Sequence, residues 1–132
     1  MTNEKITIAS KDMVQKINKA YLYSDLRDCY DFAYSQNLLT EDVLKAFLQN
    51  EFTPPFVIRH IHLKFYPTSS FTECQEDILK LFAENPNTSS EILRDIHVLS
   101  NSEEVRQAAL DNPNFPQNTK EALAKLSQSL TR

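Results

Sequence analysis

The sequence contains no glycine in 132 residues, where average usage of about 7% would give about nine. Glycine is the residue that enters positive-φ and very tight backbone conformations freely. Without it the Walker and dinucleotide phosphate loops are absent, and a hairpin-rich β fold lacks the turn residue it leans on. The chain is therefore expected to be all-helical. Long apolar runs are also missing: none approaches the ~18 residues of a membrane span, and residues 1–10 lack the apolar stretch of a secretory signal. Basic charge is scarce, with 14 Lys+Arg against 18 Asp+Glu and a net charge of −4, so nucleic acid is a disfavoured partner. Cysteine is limited to Cys29 and Cys74. They are expected to be reduced, buried thiols in a cytosolic protein. No HExxH, CxxC, acidic metal loop or glycine-flanked nucleophile elbow occurs. No catalytic, cofactor-binding or metal-ligating residue is expected.

What is present is internal repetition. The stretch from Asn85 to His97 (NPNTSSEILRDIH) matches Asn50 to His62 (NEFTPPFVIRHIH) at an offset of 35 (85 − 50), with Asn, Thr, Arg, Ile and His in the same places. Asn112-Pro113-Asn114 repeats Asn85-Pro86-Asn87 after 27 residues (112 − 85). Copies at such spacing are the signature of stacked helical units.

Helical periodicity recurs along the chain. Residues 1–10 show only an apolar alternation at Ile6 and Ile8, read as a frayed arm or an extended segment, with Ser10 as the first N-cap. Met13, Val14, Ile17 and Tyr21 form the first inward stripe, and Leu26, Tyr30 and Ala33 the second, stopping at Asn37. Thr40 caps a third helix carrying Val43, Leu44, Phe47 and Leu48. Thr53 before a proline at the first helical position opens a fourth, with Ile58, Ile61 and Phe65 inward. Capping boxes at Thr72–Gln75 and Thr88–Glu91 open two more. Asn85 is expected in the left-handed position that glycine usually takes. Ser102 opens the seventh helix, with Val105, Ala108 and Ala109 inward, and Ala122, Leu123 and Leu126 lie in the last. About eight short helices result, in four antiparallel pairs, each too short to be stable alone. Stacking of their apolar faces supplies the stability. The chain reads as one domain, 1–132, with residues 1–45 a divergent N-terminal cap and 46–132 the repeat region.

Residues 82–126 resemble the leucine-rich repeat variant family of bacterial helical repeats. Ala83-Glu84-Asn85-Pro86-Asn87-Thr88 matches the start of its pattern, Leu93 and Ile96 its apolar pair, and Glu104–Pro113 the junction into the next unit. Ser89 stands where the family has proline, and Phe115 where it has threonine. The resemblance implies a right-handed α-solenoid similar to HEAT arrays, and binding rather than catalysis. The iron–sulfur module of some members is not carried over, since such a cluster takes about four ligands and this chain has two distant cysteines.

Candidate binding residues follow from the repeats and the aromatics. Arg59 and Arg94 are equivalent, with Arg106 in the following helix; they form a guanidinium ladder for partner carboxylates or serve helix ends and nearby Asp95, Glu103 and Glu104. His62 and His97 are equivalent too, whereas His60 and His62 diverge by about 200° on a helix and do not share a metal. Tyr21, Tyr23, Tyr30, Phe32 and Tyr34 crowd one stretch, and Phe52, Phe56, Phe65, Tyr66 and Phe71 another. Most of these are expected in the core. Tyr23, Tyr34, Phe56 and Tyr66 are the candidates for a partner groove, where aromatics are enriched. The expected function is a soluble, cytoplasmic, bacterial-type protein-interaction module whose partner is another protein, with an immunity or antitoxin protein as one subclass. A nucleic-acid-binding HEAT-like protein is the alternative, and it requires a basic face despite the acidic total.

Overall fold

The computed structural model describes residues 3–130, and side chains within that span except those of residues 3, 4, 6 and 127–130. Ile6 and the polar Ser127–Arg132 tail lie outside the described side chains. Eight α-helices and no strand occur among the described residues: α1 Asn3–Lys19, α2 Tyr23–Ser35, α3 Glu41–Gln49, α4 Pro55–Phe65, α5 Glu76–Glu84, α6 Ser90–Leu99, α7 Glu103–Asp111 and α8 Gln117–Leu130. The chain divides into two compact units, Met1–Pro67 and Thr68–Arg132.

In the first unit α1 packs on α2 and α3, and α3 on α4. Its core is Met13, Ile17, Leu26, Tyr30, Ala33, Val43, Leu44, Phe47, Leu48, Val57, Ile58 and Ile61. In the second unit α5 packs on α6 and α7, and α6 on α7, around Phe71, Ile78, Leu79, Phe82, Leu93, Ile96, Val105 and Ala109.

A chain without glycine must leave its helices by other routes. Only Asn37 has positive φ (57°) among the described residues. It completes a Schellman closure of α2, in which Leu38 N–H reaches Ala33 carbonyl at 2.8 Å and Asn37 N–H reaches Tyr34 carbonyl at 3.2 Å. An asparagine is the residue that best replaces glycine there. Helices α3, α5 and α7 end differently, on Asn50, Asn85 and Asn112, each in extended backbone. Asn85, with φ −78° and ψ 126°, is thus not left-handed as the sequence reading had it.

These three asparagines build the same turn. Each side-chain oxygen accepts the N–H two residues on: Phe52 at 2.8 Å, Asn87 at 2.9 Å and Asn114 at 2.9 Å. Each main-chain carbonyl accepts the N–H three residues on, from Thr53, Thr88 and Phe115. An Asx turn is thereby superposed on a β-turn, and Pro86 and Pro113 occupy the position where fixed φ favours it. Glu51 replaces proline in the first copy, and the turn survives because its hydrogen bonds come from Asn50.

The threonine that follows was misread. Thr53 and Thr88 are fully buried, and each hydroxyl donates back to a helix carbonyl, Phe47 or Phe82, at 2.6 Å. Capping falls one residue later, to Pro54 and to Ser89, whose hydroxyl accepts Ile92 N–H at 3.4 Å. Buried hydroxyls need partners, and the carbonyls in the last turn of the preceding helix supply them.

Three further expectations are corrected. Ser10 does not start a helix: α1 already runs from Asn3, because nothing in residues 3–10 breaks it, and buried Ser10 meets Thr40 Oγ1 at 3.4 Å. Tyr21 lies in the α1–α2 turn and is 69% exposed, beyond the last turn of the stripe that was to bury it. Thr72 does not cap α5, which starts at Glu76 after a short 3-10 turn, Thr68–Ser70, and the buried anchor Phe71.

Candidate interaction surface

The repeated asparagines also tie helices together. Asn50 Nδ2 donates to the carbonyls of Ile17 (2.8 Å) and Ala20 (2.9 Å) at the end of α1. Asn112 Nδ2 donates to those of Ala83 (2.9 Å) and Asn85 (2.8 Å) at the end of α5. Helix α1 therefore stands to α3 as α5 stands to α7, although residues 1–45 carry no copy of the motif. A carbonyl acceptor belongs to every residue, so this equivalence leaves no trace in the sequence of α1.

Residues that repeat in the helices fall on both sides of the surface. Arg59 and Arg94 are exposed on α4 and α6. Arg94 pairs with none of Asp95, Glu103 and Glu104: Asp95 accepts Thr68 Oγ1 at 2.9 Å and Glu104 meets Lys80. Arg106 is half-buried and donates to the Ser100 carbonyl at 2.8 Å, which makes it a tie of the α6–α7 junction. His62 is buried, and its Nδ1 donates to the Tyr66 carbonyl at 2.8 Å, closing the end of α4. His97 is half-buried and stands edge-on to Phe115. Burial, and then the nearby Arg106 charge, hold its imidazole below the usual range.

The aromatics separate sharply. Tyr21, Tyr23, Phe32, Tyr34, Phe52 and Phe56 are exposed, all in the first unit; among the described residues of the second, the exposed large apolar side chains are Val98 and Leu126. Tyr66 is half-buried. Phe32, which falls outside the buried stripe of Leu26, Tyr30 and Ala33, sits on the side of α2 away from them and is 53% exposed.

Helices α2 and α4 share one worked surface. Tyr30 Oη and His60 Nδ1 share a hydrogen bond at 2.5 Å, and Lys64 Nζ donates to Tyr34 Oη at 3.0 Å while lying 5.0 Å from that ring's centre. Both Tyr30 and Tyr34 stand edge-on to His60. The Tyr30 phenol is pushed well above its ordinary range, chiefly by burial and then by Tyr34 and Asp31. Sequence periodicity assigned Tyr30 to the core correctly and had no means of pairing it with His60.

Two grooves lie elsewhere. One of about 640 Å³ runs between α1 and α3, past Ser10, Lys11, Thr40 and Lys45. Another of about 610 Å³ runs between α5 and α7, past Lys80, Glu84, Glu104 and Asp111. Neither is lined by an exposed aromatic. Cys29 and Cys74 are both half-buried and form no disulfide; burial pushes the Cys29 thiol up, away from nucleophilic character. No group of three or more His, Cys, Asp or Glu that could hold a metal occurs among the described residues. No helix among them is long and apolar enough to cross a membrane. Compared with protein-family models, with curated proteins and with solved structures, the chain matches none.

Proposed function

We propose that this chain is a protein-binding module, not an enzyme, and that its working surface is the aromatic exterior of the first unit. The observation that carries this reading is the placement of all six exposed aromatics between residues 21 and 56. Large exposed apolar side chains gathered in one region mark interaction sites, and tyrosine and phenylalanine are the types enriched at interface centres. Repetition of the asparagine turn and its carbonyl ties further supports successive storeys of a right-handed α-solenoid, similar to the leucine-rich repeat variant and HEAT families. The partner is another protein in a bacterial cytoplasm, and an immunity or antitoxin role against a basic protein is the finer form of this reading.

Affinity capture on the full chain, followed by titration of the purified captured protein, tests the surface. Changing Tyr23, Phe32 and Phe56 together to alanine is expected to weaken binding by about a hundredfold, as for loss of two or three hot-spot side chains. Arg94→Ala, in the second unit, is expected to leave it unchanged. The reading fails if the triple variant binds normally, or if the chain instead binds oligonucleotides with an affinity that falls steeply with salt.

A further inference from the structure

The last turns of α2 and α4 border a pocket of about 310 Å³, lined by Tyr34, Asn37, Leu39, Lys64 and Phe65, all in the first unit. That volume sits at the small end of the ~300–1,000 Å³ range of ligand sites. Its lining has two chemistries. Leu39 and Phe65, both half-buried, supply an apolar wall. Tyr34, Asn37 and Lys64, all exposed, supply hydrogen-bond donors.

The donors are left with capacity to spare. Lys64 Nζ donates to Tyr34 Oη at 3.0 Å and lies over that ring, so the phenol aims the ammonium. Lys64 forms no ion pair among the described residues. Tyr34 Oη accepts from Lys64 and keeps its own proton to donate. Asn37 is held at the helix end by its positive φ, and its side-chain amide has no partner among the described residues. No carboxylate is among the lining residues. The helix-end carbonyls that would repel an anion are already bonded: those of Ala33 and Tyr34 to Leu38 and Asn37 N–H, and those of Ile61 and His62 to Tyr66 N–H. A cation, two further donors and no competing carboxylate suit an anion.

We infer that this pocket takes the C-terminal residue of a partner chain, with its carboxylate on Lys64, Tyr34 and Asn37 and its apolar side chain on Leu39 and Phe65. In a C-terminal residue the carboxylate and the side chain leave the same carbon, which matches donors set beside an apolar wall. An aspartate or glutamate side chain brings the carboxylate without the apolar branch. Every chain ends in a carboxylate, so a partner of either net charge presents one. The inference deepens the reading of the aromatic exterior and rests on it, since Tyr34 is one of the six exposed rings. The repeat offset of 35 puts Leu99 where α4 has Lys64 (64 + 35), so α6 carries no cation at that position.

Fluorescence anisotropy tests the pocket. The probe is a short peptide with an N-terminal dye and a free C-terminal leucine, titrated with the full chain beside the same peptide ending in an amide. The acid is expected to bind about tenfold more tightly than the amide, as for loss of a charge-assisted contact. Lys64→Gln should weaken the acid by about tenfold and erase the difference between the two peptides, whereas Lys64→Arg should keep most of it. Replacing the peptide's terminal leucine by glycine should also weaken binding by about tenfold, because the apolar wall is left uncovered. Lys45→Gln removes the same charge outside the pocket and should change nothing, and circular dichroism confirms that each variant is folded. The inference is overturned if neither peptide binds, if acid and amide bind alike, or if Lys64→Gln does no more than Lys45→Gln. If it is overturned while a captured protein is still lost in the Tyr23, Phe32 and Phe56 triple variant, the interaction surface stands and the pocket falls, since none of those three lines it.

Discussion

The two units are built with the same joints and finished with different surfaces. In both, an asparagine ends the second helix of the stacked pair, turns the chain through an Asx turn, and donates twice to the carbonyls ending the first. In both, a fully buried phenylalanine, Phe47 or Phe82, offers its carbonyl to a buried threonine. Outside these joints the likeness ends. The first unit exposes six aromatics and the second none. Its groove carries Lys11 and Lys45 with one carboxylate, Asp42, whereas the groove of the second carries Glu84, Glu104 and Asp111 around one lysine. Residues held by backbone geometry cannot drift independently of their partners, while residues facing water can. Repetition therefore reports on packing, and departures from it report on what each unit touches.

The largest expected effect tests the shared joint. Phe47→Ala and Phe82→Ala should each cost about 3–5 kcal/mol in chemical denaturation, the range for emptying a buried phenylalanine site. Phe47 should lie at the upper end because Tyr30 stands edge-on to it at 5.2 Å, a contact worth about 0.5–1.5 kcal/mol beyond area. Unequal losses in the reverse order would break the equivalence of the two positions.

Next come the asparagines. Asn112→Ala removes two donors and one acceptor from a buried site and should cost about 2–3 kcal/mol. Asn50→Ala removes the same set from a half-buried site, where water replaces part of it, so about 1–2 kcal/mol is expected. A larger loss at Asn50 than at Asn112 would mean that exposure does not set the difference.

The smallest effect is one of pH and belongs to the second unit. Folding holds the His97 pKa below its ordinary value of 6.5, so the unfolded chain binds the proton more readily. Stability from this group is complete above about pH 6.5 and declines as pH falls from there through the lower folded pKa. Thermal melts between pH 7 and pH 5 should show this decline, and His97→Gln should flatten it. An unchanged slope in that variant would remove His97 as its source.

Several of these features were readable from the residues, and the reasons differ. Thr40 and Ser102 were placed correctly as N-caps, and their hydroxyls accept the N–H three residues on, at 3.4 and 3.3 Å. Such capping is local, so local sequence reports it. Thr53, Thr72, Thr88 and Ser10 carry the same signal and do something else. The hydroxyls of Thr53 and Thr88 go to a carbonyl six residues back, Ser10 is absorbed into a longer helix, and Thr72 lies in a turn held by buried Phe71. Of the candidate binding residues, Tyr23, Tyr34, Phe56, Arg59 and Arg94 are exposed, whereas His62 and Arg106 are taken up by main-chain carbonyls. A histidine or an arginine looks the same in the sequence whether its donor meets solvent or a helix end.

The residue order by itself determined the helices and their stops. Apolar spacing selects the buried side of each helix, and Asn-Pro or a lone asparagine ends it where glycine is lacking; both act within a few residues of chain. Tertiary structure alone decided that Asn50 ties α3 to α1, that Tyr30 meets His60, and that Thr53 is buried against the Phe47 carbonyl. Those outcomes depend on which helix lies against which, and a hydrogen bond or an exposed ring is settled by neighbours tens of residues away.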